Sequence, residues 1–183
     1  PDGTSVNRIT EYVLPWYTYI PSALPTRQII TVSVPIDDEY CTYWQLLWDR
    51  AAPLNEEEHN VQTGAGTLGP NPDDFYEPRF GPEEYWGQNR EWMKQGHFSG
   101  FRSIPFEDFA VQESQGVFAD RSKEHLGVSD VGVIRMRRTL LDMARDYEQG
   151  QLPSILTSEL DYSKIWSVHE IVPAGQVRDK SLV

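Results

Sequence analysis

A chain of 183 residues with 39% hydrophobic and 12% aromatic side chains can bury the core of one domain, which excludes a disordered, low-hydrophobicity class. Its net charge of −12, from 28 acidic against 16 basic residues, argues against nucleic-acid binding, which relies on Lys and Arg to neutralise phosphates. No apolar run approaches the ~20 residues of a membrane span, and the opening residues lack a signal-peptide pattern. The single Cys41 permits neither an internal disulfide nor a thiolate cluster, so a reducing, cytoplasmic setting without a membrane is expected.

Residues 8–20 carry β-branched and aromatic residues in a strand-like pattern broken near Pro15, and Pro21 and Pro25 bracket a turn. Residues 27–36 predict a strand with Ile30, Val32 and Val34 on one face. Asp37, Asp38 and Glu39 make a turn, and residues 40–49 return as a second strand. So short a connection requires antiparallel pairing, a hairpin from Arg27 to Asp49. The nearly continuous Tyr43, Trp44, Leu46, Leu47 and Trp48 predict that the return strand is covered on both faces.

Residues 50–84 are rich in Gly, Pro and acid without periodicity, and read as a long loop, either a solvated acidic excursion or a contact surface. A short helix is expected over 85–96, closed by Gly96, and another over about 106–115 after Pro105, ended by Gly116. The clearest element is a helix over 129–149, with Ser129 as N-cap and Gly150 as its stop. Val133, Met136, Leu140, Met143 and Tyr147 form one apolar stripe, widened by Ile134 and Leu141. Such a stripe must lie on something, and the antiparallel sheet is the natural surface, giving an α+β fold. The tail, 151–183, has short strand-like pieces, notably 163–172, and no evident path.

The residue patterns alone single out little chemistry. His59, His97, His125 and His169 are too far apart for two imidazoles on one helix to share a metal. The hydrolase pattern Gly-x-Ser-x-Gly is absent, and the glycines of 64–69 sit in an acidic loop rather than between a strand and a helix. Glu107 and Asp108, at a helix start, ordinarily read as acids on a solvated face that complement the helix dipole. Tyr43, Trp44 and Phe98 are candidates to line an aromatic pocket or to pack in the core.

An ordered set of motifs goes further: Glu107-Asp108, then Gln112-Glu113-Ser114-Gln115-Gly116, Ala119-Asp120-Arg121 and His125-Leu126-Gly127, followed by the long Arg-rich helix. Together with the upstream Val34-Pro35-Ile36-Asp37-Asp38 turn, this order resembles the C-terminal catalytic region of Rieske non-haem iron oxygenases. The similarity is greatest to the phthalate dioxygenase-like and aromatic O-demethylase branches. It covers roughly residues 8–150, with the 50–84 loop and the tail unmatched.

The resemblance implies a helix-grip fold, an antiparallel sheet curved around a long C-terminal helix, present here as a partial domain over 1–183. It implies that Asp108 is the carboxylate of a two-His, one-carboxylate Fe(II) site, whose open face takes O₂ and substrate. The segment carrying the two His ligands is absent from this sequence, as are the Cys/His pairs that hold a Rieske [2Fe-2S] cluster. The chain therefore reads as an excised domain or part of a longer polypeptide, inactive alone. Implied partners are an aromatic substrate, a reductase or ferredoxin, and two further subunits in a homotrimer. Ring hydroxylation and O-demethylation both remain open. The other readings are a helix-grip module that binds a hydrophobic ligand, and an oligomerisation domain using the acidic loop.

Overall fold

The computed structural model describes residues 3–58, 80–153 and 159–176. The strand-like start divides into β1 (Thr4–Ile9), β2 (Glu11–Val13) and β3 (Tyr17–Pro21), with the break at Pro15 turning β2 back onto β3. The expected hairpin is present as β4 (Arg27–Pro35) and β5 (Cys41–Asp49), in a register that runs from Arg27 opposite Asp49 to Pro35 opposite Cys41. Asp37 shapes its turn, since Oδ1 accepts from the backbone N–H groups of Glu39 at 2.9 Å and Tyr40 at 2.7 Å. These elements form a four-stranded antiparallel sheet in the order β2-β3-β4-β5. The tail contributes β6 (Val168–Pro173), which overlaps the strand-like stretch 163–172 and runs one residue past it, and it pairs antiparallel with β1 in a separate two-stranded sheet.

Between those strands lie α1 (Arg90–Lys94), α2 (Ile104–Glu113) and α3 (Val131–Glu148). The fold is α+β. The predicted 85–96 helix is shorter than expected because Tyr85, Trp86 and Gly87 all have positive φ, at 51°, 53° and 74°. Such backbone is strained for Tyr and Trp, at about 1–3 kcal/mol each, and must be held from outside. Trp86 supplies the hold, packing against the Phe101, Phe106 and Ala110 cluster while its indole N–H donates to Glu113. Gly87 could be nothing else, since a Cβ there would come within 2.8 Å of the Phe80 ring. The helix proper begins after Asn89, whose side chain caps the N–H groups of Glu91 and Trp92.

Helix α2 starts two residues earlier than expected and takes Pro105 into its first turn. Gly116 follows it and Gly150 follows α3, both at positive φ, as their C-terminal roles require. Ser129 is not the cap of α3. It lies in a 3-10 turn (Val128–Asp130), where Asp130 accepts from the Gly127 N–H at 2.8 Å.

Two expectations about packing are corrected. Strand β5 is not covered on both faces. Tyr43, Gln45, Leu47 and Asp49 are half-buried, while Trp44 and Leu46, on the other face, are 47% and 49% exposed. The reason is position: β5 is the edge strand of its sheet. The stripe of α3 does not lie on the sheet in this chain either, for no residue of α3 is buried and its main element neighbour is the 3-10 turn before it. Among the described residues the buried apolar side chains other than Val32 fall instead into two small clusters, Val13, Tyr19 and Ile165 under the sheet and Phe101, Phe106 and Ala110 around α2. The predicted 50–84 loop lies largely, and the tail partly, outside the described residues.

Candidate functional site

Helix α2 is fixed from inside by spacing. Phe106 and Ala110, four apart, share one face and meet Phe101. Phe109, three residues after Phe106, meets the sheet through Tyr43 of β5, with ring centroids 5.4 Å apart and planes at 88°. Edge-to-face geometry of this kind is the favoured one for aromatic pairs. Asp108 sits between these anchors in sequence, on a helix whose rotation they determine.

Asp108 is exposed as a residue, yet its carboxyl loses part of its hydration, and this together with the neighbouring Glu107 charge raises its pKa. Tyr43 is affected in turn, with burial first and the Asp108 charge second pushing its hydroxyl up to about 12. Carboxylate and phenol are thus within electrostatic reach of each other on the face of β5 opposite Trp44. Among the described residues Asp108 has neither an ion pair nor a hydrogen bond. It lines neither the groove formed by Phe80, Gln88, Trp92 and Arg102 nor the one of about 380 Å³ between Leu126 and α3.

A partly desolvated carboxylate with no cationic partner among the described residues suits a hard divalent ion such as Fe(II), which would supply the charge now lacking. One ligand does not make a centre, and among the described residues no three of His, Cys, Asp and Glu group to hold a metal. His97 has a local role, its Nδ1 accepting from the Gly100 N–H at 3.0 Å with the ring against Trp92. His125 is exposed before α3, and His169 sits in β6 opposite Arg8. His59 lies outside the described residues. The residues present thus fit one ligand of an iron site and could hold it only with donors from elsewhere.

Other motif residues have structural roles that the sequence did not disclose. Glu113 ties α2 to Trp86, and the Asp120 side chain accepts from the Ser122 N–H at 3.1 Å, capping a 3-10 turn (Arg121–Lys123). Glu124 then joins Arg121 to Arg137 of α3, at 2.9 and 2.7 Å. Phe98 is 93% exposed and is in neither buried cluster among the described residues. Tyr43 is the residue that the sequence underrated. Its period-2 offset from Trp44 was the available signal, placing it on the opposite face.

Residues 2–179 match the family described as LigXa C-terminal domain like. The chain belongs to that family. It is 32% identical over 146 residues to the phthalate 4,5-dioxygenase oxygenase subunit of Pseudomonas putida, an alignment that covers 79% of this chain and 33% of that protein. It is also 27% identical over 161 residues to the 3-chlorobenzoate-3,4-dioxygenase oxygenase subunit of Comamonas testosteroni, covering 80% and 37%. The chain therefore spans about a third of the length of the curated relatives it matches. The resemblance to the C-terminal catalytic region of Rieske oxygenases, phthalate dioxygenase branch, holds across nearly the whole sequence, including the tail that the motifs had left unmatched. No helix among the described residues is long and apolar enough to cross a membrane.

Proposed function

We propose that residues 1–183 are the C-terminal portion of the catalytic domain of a Rieske-type non-haem Fe(II) oxygenase acting on an aromatic compound, and that Asp108 is the carboxylate ligand of its iron. The observation that carries the reading is the family match over residues 2–179, within which Asp108 is partly desolvated, has no cationic partner among the described residues and is held on a braced helix. Both relatives are named as dioxygenase oxygenase subunits, which favours ring dioxygenation over O-demethylation and an aromatic acid as substrate.

In the intact enzyme the iron would supply O₂ activation, and a [2Fe-2S] cluster outside this chain would deliver electrons from a reductase or ferredoxin. This chain's own contribution is positional. Phe106 and Ala110 anchor α2 in its aromatic cluster, so the Asp108 oxygens are presented on a rigid element, as a metal ligand requires. The negative charge of the carboxylate offsets part of the charge of the ion it holds, while a ligand set confined to one side leaves the other open to small molecules. The α3 stripe, none of it buried, and the half-exposed Trp44 and Leu46 at the sheet edge fit a helix-grip domain that is completed by the rest of the polypeptide, and a trimer is the proposed assembly.

The test is Asp108→Ala in the full-length oxygenase that contains this sequence. Mononuclear iron is expected to fall to a small fraction of the parent content, while the visible absorption of the [2Fe-2S] cluster persists. Unchanged mononuclear iron and unchanged product formation would sink the assignment.

A further inference from the structure

Helix α2 carries the proposed ligand, but its internal cluster alone does not aim it at the sheet. Ring contacts link Phe80 to Phe106 at 6.2 Å and Phe106 to Phe109 at 6.2 Å, and the series ends on Tyr43 at 5.4 Å. Tyr43 is the one sheet residue in that series. It rises from β5 opposite Ser33 of β4. Backbone contact between α2 and the sheet is slight, since α2 has its main contacts with the 3-10 segment (Pro82–Gly87) before it.

Resting on the reading of Asp108 as the iron ligand, we infer that the Tyr43 ring is its positioning residue: β5 holds Tyr43, Tyr43 holds Phe109, and Phe109 sets the rotation of α2 from which Asp108 projects. The magnitudes favour this. Side-chain ends lie about 5–6 Å from a helix axis, so a rotation of about 20° displaces one by about 2 Å. A metal constellation tolerates only about 0.5 Å. A single well-seated ring one residue from the ligand is enough to remove that rotation. The ring does this work, and the hydroxyl is not needed, because the contact with Phe109 is made through the ring alone.

The experiment uses the full-length oxygenase and ferrous ion as the probe, with metal titration, the electron paramagnetic resonance spectrum of the nitric oxide adduct, and the melting temperature as readouts. Tyr43→Ala is expected to weaken Fe(II) binding about ten-fold, the scale of groups that orient a ligand, and to broaden the adduct spectrum. Tyr43→Phe is expected to restore both to parent values. Trp44→Ala, on the opposite face of the same strand, is expected to leave iron binding and spectrum unchanged. Parent-like binding in Tyr43→Ala overturns the inference, as does equal iron loss in Tyr43→Ala and Trp44→Ala, or failure of Tyr43→Phe to rescue. If Tyr43→Ala does not yield folded protein, Phe109→Leu breaks the same contact from the other side and carries the same expectation and the same refutation. Asp108→Ala measured alongside separates the two claims: if it retains iron, the ligand reading falls and the inference with it. If it loses iron while Tyr43→Ala does not, only the positioning role falls.

Discussion

The sheet and the long helix solve the problem of burying apolar surface differently. Under the sheet, the tail returns from the far end of the chain and closes the core residue by residue. Ile165 enters the cluster of Val13 and Tyr19, Trp166 packs edge-on to Trp48 beneath the Arg50 guanidinium, and Ser167 meets Gln28. Gln28 and Ser167 are 1% and 2% exposed, and their polar atoms answer one another: Gln28 Oε1 accepts from the Ser167 N–H at 3.0 Å and its amide donates to the Ser167 carbonyl at 3.2 Å. Helix α3 has an equally well-patterned apolar stripe and no such partner among the described residues. A regular pattern identifies a surface that wants covering; what covers it is decided by the rest of the polypeptide.

The strongest way to break this contrast is at Gln28. Gln28→Ala leaves a buried N–H and a buried carbonyl of Ser167 without partners, and unsatisfied buried groups cost about 1–3 kcal/mol each. A loss of about 3 kcal/mol in urea unfolding is expected. A loss well under 1 kcal/mol would mean that the tail is not locked to the sheet as described.

The second prediction concerns the stripe. Leu141 is more than half exposed, so Leu141→Ala in the isolated chain should change stability by no more than about 0.5 kcal/mol, the range of ordinary surface substitutions. In the full-length protein, with the stripe covered, the same change should cost about 2 kcal/mol, the low end for a buried leucine. Equal effects in both contexts would remove the idea that the remaining polypeptide completes this face.

The same contrast explains what could be read beforehand. The β4–β5 hairpin was legible because alternating β-branched residues and an Asp-led turn are local signals that agree with one another. The long helix was legible in existence and extent for the same reason, although its start moved when Asp130 and not Ser129 took the boundary. The burial of β5 was misjudged because a continuous apolar run looks the same whether a strand is central or at an edge, and strand order is not local information. The left-handed turn at Tyr85 and Trp86 was invisible, since it is held by the Phe101, Phe106 and Ala110 cluster and by Glu113, the latter 27 residues from Trp86. For the site, the physics of residue types offered Asp108 only as one acid among many, and the family motifs raised it above the rest. The link from Tyr43 through Phe109 to Asp108 joins two segments more than 60 positions apart, and only folding brings them together.

The smallest effect lies where α3 meets the rest of the chain. Glu124 accepts from Arg137 of the helix and from Arg121 of the preceding turn, and the Arg137 hydrogen bond is the chief cause that holds its carboxyl below the 4.5 of an unperturbed glutamate. For a carboxylate with a depressed folded pKa, the stabilising contribution is complete above the unfolded value and is lost as pH falls through the folded one. Carboxyl NMR titration should therefore place the Glu124 midpoint below 4.5, and Arg137→Gln should bring it back toward that value. Because the pair is partly open to solvent, salt should screen the effect and shrink the shift. A midpoint at or above 4.5 would show that this contact does not hold the helix to its turn in solution, leaving α3 with even fewer attachments than its exposed stripe already implies.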